Sequence, residues 1–176
     1  IANRALFEDR LDHALARVDR RNTEGTNGSP IKAALLFIDL DGFKPINDTL
    51  GHAAGDDVLQ EVARRLRSTS RESDTVARIG GDEFVVLLED VADLAQGEEA
   101  ADRIVQLLSQ PFTLPTRPVS ISCSIGLALY PDHGKRDQLV ASADAAMYVA
   151  KKDGGARYVA FRPHMLQTTT TKPEAA

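Results

Sequence analysis

Residues 78–84 read RIGGDEF, and they lie between two apolar runs, TVA at 75–77 and VVLL at 85–88. Two short apolar segments around a glycine pair predict a β-hairpin. Gly80 and Gly81 tolerate positive φ and leave the backbone bare where a phosphate or a base would approach it, although an ordinary type I′ turn accounts for them equally well. A turn needs glycine or asparagine. It does not need the two adjacent acids, Asp82 and Glu83, and that surplus of charge is the first pointer to function.

AALLFID at 33–39 is a continuous apolar run ending in an acid, which suits a central strand buried on both faces. Further along, Val119, Ile121, Cys123, Ile125, Leu127 and Leu129 alternate with small residues, the pattern of a strand over 119–129. RYVAF at 157–161 predicts a last short strand. Helical spacing joins Phe7, Leu11, Leu15 and Val18, with Asn3 placed as the N-cap. The same spacing joins Leu59, Val62, Ala63 and Leu66 in a helix entered through GDD at 55–57. Ala101, Ile104, Val105 and Leu108 mark a third helix, closed by Pro111, and Leu139, Ala143, Ala146 and Ala150 a fourth. The order helix, strand, helix, hairpin, helix, strand, helix, strand predicts an α+β domain over 1–162, with helices packed on a mixed or mostly antiparallel sheet. NTEGTNGSP at 22–30 reads as a polar loop. Residues 163–176, ending in TTTTKPEAA, read as a linker or disordered tail.

The bulk figures fit this picture. The 176 residues suffice for one core, and 43% hydrophobic with 27% charged residues is ordinary for a soluble protein. A net charge of −5 argues against a general nucleic-acid binder. The single Cys123 leaves no intrachain disulfide and no Cys/His zinc cluster. No apolar run approaches the ~20 residues of a membrane span, so no direct membrane contact is expected and the expected location is cytoplasmic. The chain opens on Ile1 without a methionine, which we read as a piece of a longer protein.

FIDLDGF at 37–43 places Asp39 and Asp41 at the end of the first strand, on one side of it, with Leu40 pointing away. If the hairpin lies beside that strand, Asp82 and Glu83 meet the first pair at one sheet edge. Carboxylates crowded that closely do not all stay ionised without a cation. Oxygen-only ligands point to Mg²⁺ or Mn²⁺, and Mg²⁺ held by few carboxylates fills its other positions with water and phosphates. A nucleoside triphosphate is the natural ligand. Asn47 and Asp56 lie in a polar stretch, FKPINDTLGHAAGDD at 43–57. A carboxylate accepting from guanine N1–H and N2–H₂, and an amide donating to O6 or N3, together read guanine. The plain alternative for Asp56 is a helix N-cap. His52 reads as a turn or hydrogen-bonding residue. Lys44 and Lys151 read as phosphate contacts or solvated surface lysines.

RIGGDEF, preceded by FIDLDGFKPINDTLGHAAGDDVLQEVARRL and followed by SIGLALYP and ADAAMYVAKKDGG, resembles the GGDEF domain of diguanylate cyclases, bacterial signal-transduction enzymes. The match runs from about Asn3 to Phe161, without the family's usual D-x-L-T-G-L opening. The resemblance implies a palm similar to nucleotidyl cyclases and condensation of two GTP into cyclic di-GMP with release of pyrophosphate. It implies two metal ions per site, with Asp39, the Leu40 carbonyl, Asp82 and Glu83 as ligands. Asp82 would accept the proton of the attacking 3′-hydroxyl, with Glu83 and Lys44 in the catalytic group. Asn47 and Asp56 fall on guanine-reading positions with His52 beside them, and Lys44 and Lys151 on phosphate-contacting ones. Each domain would hold one GTP, so the resemblance implies a homodimer. RESD at 71–74 matches the family's inhibitory R-x-x-D motif, which would place the product on Arg71 and Asp74.

One departure stands out. Where the family reads G-R-N after the last helix, this chain reads GGAR, with Gly155 at the arginine position and Arg157 two residues later. A second reading therefore accompanies the cyclase one: a GTP- or cyclic di-GMP-binding regulatory module. FRPHM at 161–165 supports it, since it resembles the connector into EAL phosphodiesterase domains. Adjacent sensory domains are the other neighbours the resemblance implies. A bare interaction domain leaves the acids unexplained.

Overall fold

The computed structural model describes residues 1–25, 28–115 and 117–171, the side chains of 168–171 excepted. Helix α1 (Arg4–Thr23) leads into β1 (Lys32–Asp41). Two helices follow in close succession, α2 (Phe43–Leu50) and α3 (His52–Thr69). The hairpin β2 (Thr75–Arg78) and β3 (Glu83–Val91) comes next, then α4 (Leu94–Leu108) and a two-stranded ribbon, β4 (Phe112–Thr113) with β5 (Pro118–Val119). The chain closes with β6 (Ser122–Tyr130), α5 (Arg136–Lys152), β7 (Arg157–Ala160) and a 3-10 helix (Pro163–Thr171).

The main sheet has the order β2-β3-β1-β6-β7. All its pairs are antiparallel except β6 with β7, so the mostly antiparallel α+β sheet expected from the sequence is present. The run at 33–39 is apolar throughout because β1 is central and covered on both faces. Leu36, Ile38 and Leu40 face one cluster with Val58, Val62 and Leu66 of α3 and Ile104 of α4. Leu35 and Phe37 face the other, with Phe7, Leu11 and Leu15 of α1 and Ala143 and Ala146 of α5. That alternation fixes where the acids point: Asp39 and Asp41 share the α1/α5 side. Asn3 caps α1 as expected, accepting from Leu6 N.

Several boundaries differ from expectation. Helix α2 is absent from the sequence reading, because Pro45 and a polar run obscure it; a proline in the first turn, however, lacks only a donor that has no intrahelical partner there. Helix α3 begins at His52 with Gly51 as its N-cap, so Asp56 lies inside the helix and the N-cap alternative for it falls. Helix α4 begins at Leu94, where the Asp93 side chain accepts from Gln96 N. The strand expected over 119–129 is divided: β5 pairs with β4, and only β6 joins the main sheet. Residues 163–167, read as linker, are helical, and Phe161 and Met165 are buried in the cluster that includes α5. Thr26 and Asn27 of the 22–30 loop, and 172–176 of the tail read as disordered, lie outside the described residues. No described helix is long and apolar enough to cross a membrane.

Candidate active site

β1 and β3 are in register with Asp39 opposite Glu83, so the hairpin does bring its acids beside those of the first strand. Leu40 N donates to Asp82 O at 3.2 Å, which ties the Asp82 backbone to the end of β1. The signature turn is not a type I′ turn. Neither Gly80 nor Gly81 lies in the left-handed region, and the four residues 79–82 are held differently. Ile79 N donates to Glu83 O at 3.0 Å, Arg78 Nε donates to Gly80 O and Gly81 O at 3.1 and 3.0 Å, and Arg4 Nη2 to Ile79 O at 2.9 Å. A Cβ on Gly80 would come 2.5 Å from Glu83 Oε2, whereas one on Gly81 would meet open space. Gly80 is therefore a packing glycine under the Glu83 carboxylate, and Gly81 leaves the turn bare.

Asp39 is 13% exposed and ion-paired with Lys151. Burial raises its pKa above the ordinary carboxylate value, outweighing the hydrogen bond and charge of Lys151, and Asp82 and Asp41 add repulsion. The Glu83 pKa is raised too, first by burial and then by Asp39, Asp144 and Asp82, with Arg4 opposing. Asp41 behaves otherwise. It accepts from Ser122 Oγ at 2.9 Å, Ser124 Oγ at 2.8 Å and Ala156 N at 3.0 Å, so it is a structural acid that fastens the segment after α5 to β6.

No three acidic, histidine or cysteine side chains among the described residues converge as a preformed cation site. The donor set nevertheless fits a hard divalent cation. It is all oxygen, its charges raise one another's pKa, and the ion-pair partner of Asp39 is an ammonium cation.

Around this edge, Lys44 and His52 are exposed in the first turns of α2 and α3, and Asn47 is half-buried. Asp56 lines an open cavity of about 440 Å³ with Ala2, Asn3, Leu59, Arg78 and Phe84. Two neighbours of the acids escaped the sequence reading. Arg4 gave no signal beyond its place after the cap Asn3. Asp144 could have been found from the polar face of α5, where it precedes Lys151 by two turns.

Gly155 adopts φ +69°, and a Cβ there would come 2.6 Å from Asp41 Oδ2. Asp41 thus stands where the side chain of any other residue would begin. Arg157 folds back so that its Nε donates to Gly155 O at 3.0 Å. At the other end of β2, Asp74 is buried and accepts from Arg71 N at 2.8 Å and Glu89 N at 3.2 Å. Arg71 and Asp74 line a pocket of about 160 Å³ with Glu89, Gln96, Glu99 and Arg103.

A five-stranded, mostly antiparallel sheet flanked by helices, with acids gathered at the junction of its central strand and a hairpin, defines a nucleotidyl-cyclase-like palm. Over residues 1–157 the sequence matches the family described as diguanylate cyclase, GGDEF domain. The chain belongs to that family. It is 46% identical over 163 residues to the diguanylate cyclase TpbB of Pseudomonas aeruginosa, covering 91% of this chain and 36% of TpbB. It is 44% identical over 166 residues to the bifunctional diguanylate cyclase/cyclic di-GMP phosphodiesterase MucR of the same species, covering 94% of this chain and 23% of MucR. A solved structure comprising only the TpbB GGDEF domain superposes with a TM-score of 0.89 at 42% identity, covering 97% of this chain and 96% of that one. The chain thus spans roughly a quarter to a third of these full-length relatives.

Proposed function

We propose that this domain condenses two GTP molecules into cyclic di-GMP, with release of two pyrophosphates. The observation that carries the reading is the meeting of Asp39, Asp82 and Glu83 at one edge, with Asp39 opposite Glu83 and Leu40 N on Asp82 O. Asp39, Asp82, Glu83 and the Leu40 carbonyl would hold Mg²⁺ or Mn²⁺, two ions per site. When bound, such ions neutralise the triphosphate and make its α-phosphorus more electrophilic. Asp82 accepts the proton of the attacking 3′-hydroxyl while a new 3′-O–P bond forms and the α–β P–O bond breaks. Glu83 holds its charge beside that centre, and Lys44 and Lys151 contact phosphates as point charges. Asn47 and Asp56 read the guanine, with His52 beside them; bare backbone at Gly81 lets the nucleotide approach, and Gly80 seats the Glu83 carboxylate beside it. One GTP per domain makes a facing homodimer the working unit, in a cytoplasmic setting, and Arg71 with Asp74 binds product at the far end of β2.

A second reading is favoured by Gly155, which contributes no side chain to the phosphates: a GTP- or cyclic di-GMP-binding module that regulates an adjacent EAL domain. Incubation with GTP and Mg²⁺ or Mn²⁺ at several protein concentrations separates the two. Cyclic di-GMP formed at a rate rising faster than linearly with protein supports the cyclase and its dimer. GTP binding without product supports the regulatory module.

A further inference from the structure

We propose that Gly55 is a positioning residue for base recognition: it holds the Asn47 amide where guanine is read. The inference rests on the reading of Asn47 and Asp56 as the guanine-reading pair. Asn47 lies near the end of α2, where its carbonyl accepts from Gly51 N at 3.0 Å, and α3 restarts at once from Gly51, with Gly55 N donating to Gly51 O at 3.3 Å. The two helices meet where residue 55 has no side chain. A Cβ built on Gly55 would stand 1.8 Å from Asn47 Oδ1, 2.9 Å from Asn47 Cγ and 3.3 Å from Phe43 Cζ. The amide therefore lies directly against the Gly55 Cα, one residue before Asp56.

Helix formation does not ask for this glycine. Gly55 lies inside α3, its φ is outside the left-handed region, and alanine is the better helix former there. What requires glycine is the close approach, and the three nearest atoms that an added methyl would meet belong to the side chains of Asn47 and Phe43. The Asn47 side chain can rotate away, so Gly55→Ala displaces the amide without breaking the α2–α3 packing.

The test is a double-mutant cycle on nucleotide affinity, measured by calorimetry with a non-hydrolysable GTP analogue and Mg²⁺. Gly55→Ala should weaken binding about tenfold, corresponding to ~1.4 kcal/mol, with Tm unchanged or raised. In an Asn47→Ala background the same substitution should change affinity little. The analogous inosine nucleotide, which lacks the 2-amino group that Asp56 accepts from, should lose affinity through Gly55→Ala by the same factor as the guanosine analogue. Unchanged affinity in Gly55→Ala, or an equal loss in the Asn47→Ala background, would overturn the proposal. Failure of the unaltered, folded domain to bind the GTP analogue would instead overturn the reading of the site, and the role of Gly55 with it.

Discussion

Strand β2 joins two acidic turns. At its start, the two oxygens of the buried Asp74 accept from the backbone N–H groups of Arg71 and Glu89, which closes the turn and pins it to β3. At its end, Asp82 and Glu83 stand near Asp39, and their mutual repulsion is partly offset by Lys151 and Arg4. Both turns belong to one hairpin and carry the same functional group. A carboxylate with a backbone donor on each oxygen stabilises the fold. Carboxylates left facing one another oppose the fold and gain when a cation arrives.

Asp82→Ala should cost the most activity. The backbone bond from Leu40 N to Asp82 O survives the substitution, so Tm should stay within about 2 °C. Cyclic di-GMP formation should fall about 10³-fold, the scale of losing a general base. Retained turnover would show that the turn acids are not the reacting site. Next in size is Asp74→Ala, which strands two backbone donors and should cost about 2–3 kcal/mol, a Tm drop of roughly 5–10 °C. For that reason Arg71→Ala is the cleaner probe of product inhibition. Its side chain is exposed and its backbone N–H still reaches Asp74, so inhibition should weaken while Tm and initial rate hold. A large Tm loss in Arg71→Ala, or none in Asp74→Ala, would erase the contrast between the two turns.

The acidic edge was legible in the sequence because it follows from two local facts, an apolar run that ends in an acid and a hairpin that must pair with something. The partner of Asp41 was not, since Ser122, Ser124 and Ala156 lie more than eighty residues away in the chain. Arg65 escaped for a related reason. Helical periodicity marks Leu59, Val62, Ala63 and Leu66, and a charged residue between them reads as solvated. In the fold it is 8% exposed. Its guanidinium donates to Leu107 O, Gln110 O and Pro111 O at 3.0, 2.8 and 2.7 Å and stacks over Phe112 at 3.9 Å. The end of α4 leaves carbonyls without helical donors, and nothing local to residue 65 says that they will come within reach. The glycine pair misled in the other direction, because a type I′ turn and a packing glycine share the same letters.

The smallest effect separates the two kinds of carboxylate by the sign of their pH dependence. Glu61 belongs with Asp74. It accepts from Arg64 at 2.7 Å and from Arg65 at 2.8 Å. The Arg64 hydrogen bond, opposed by burial and helped by Arg65, holds its pKa down to about 2 from 4.5. Its contribution, about 1 kcal/mol for a partly exposed pair, is complete above pH 4.5 and is lost as pH falls towards 2. Glu83 has a pKa raised by burial and by its acidic neighbours, so its favourable contribution exists at low pH and disappears as pH rises through its folded pKa. At pH 7 without divalent ions, Glu61→Gln should therefore lower Tm by a few degrees. Glu83→Gln should raise it by a degree or two, corresponding to ~0.5 kcal/mol once water screening is allowed for. Adding Mn²⁺ should raise the Tm of the unaltered domain through preferential binding to the folded state and leave Glu83→Gln nearly unmoved. A Glu83→Gln domain destabilised at pH 7, or stabilised by Mn²⁺ as much as the unaltered one, would place Glu83 with the structural acids.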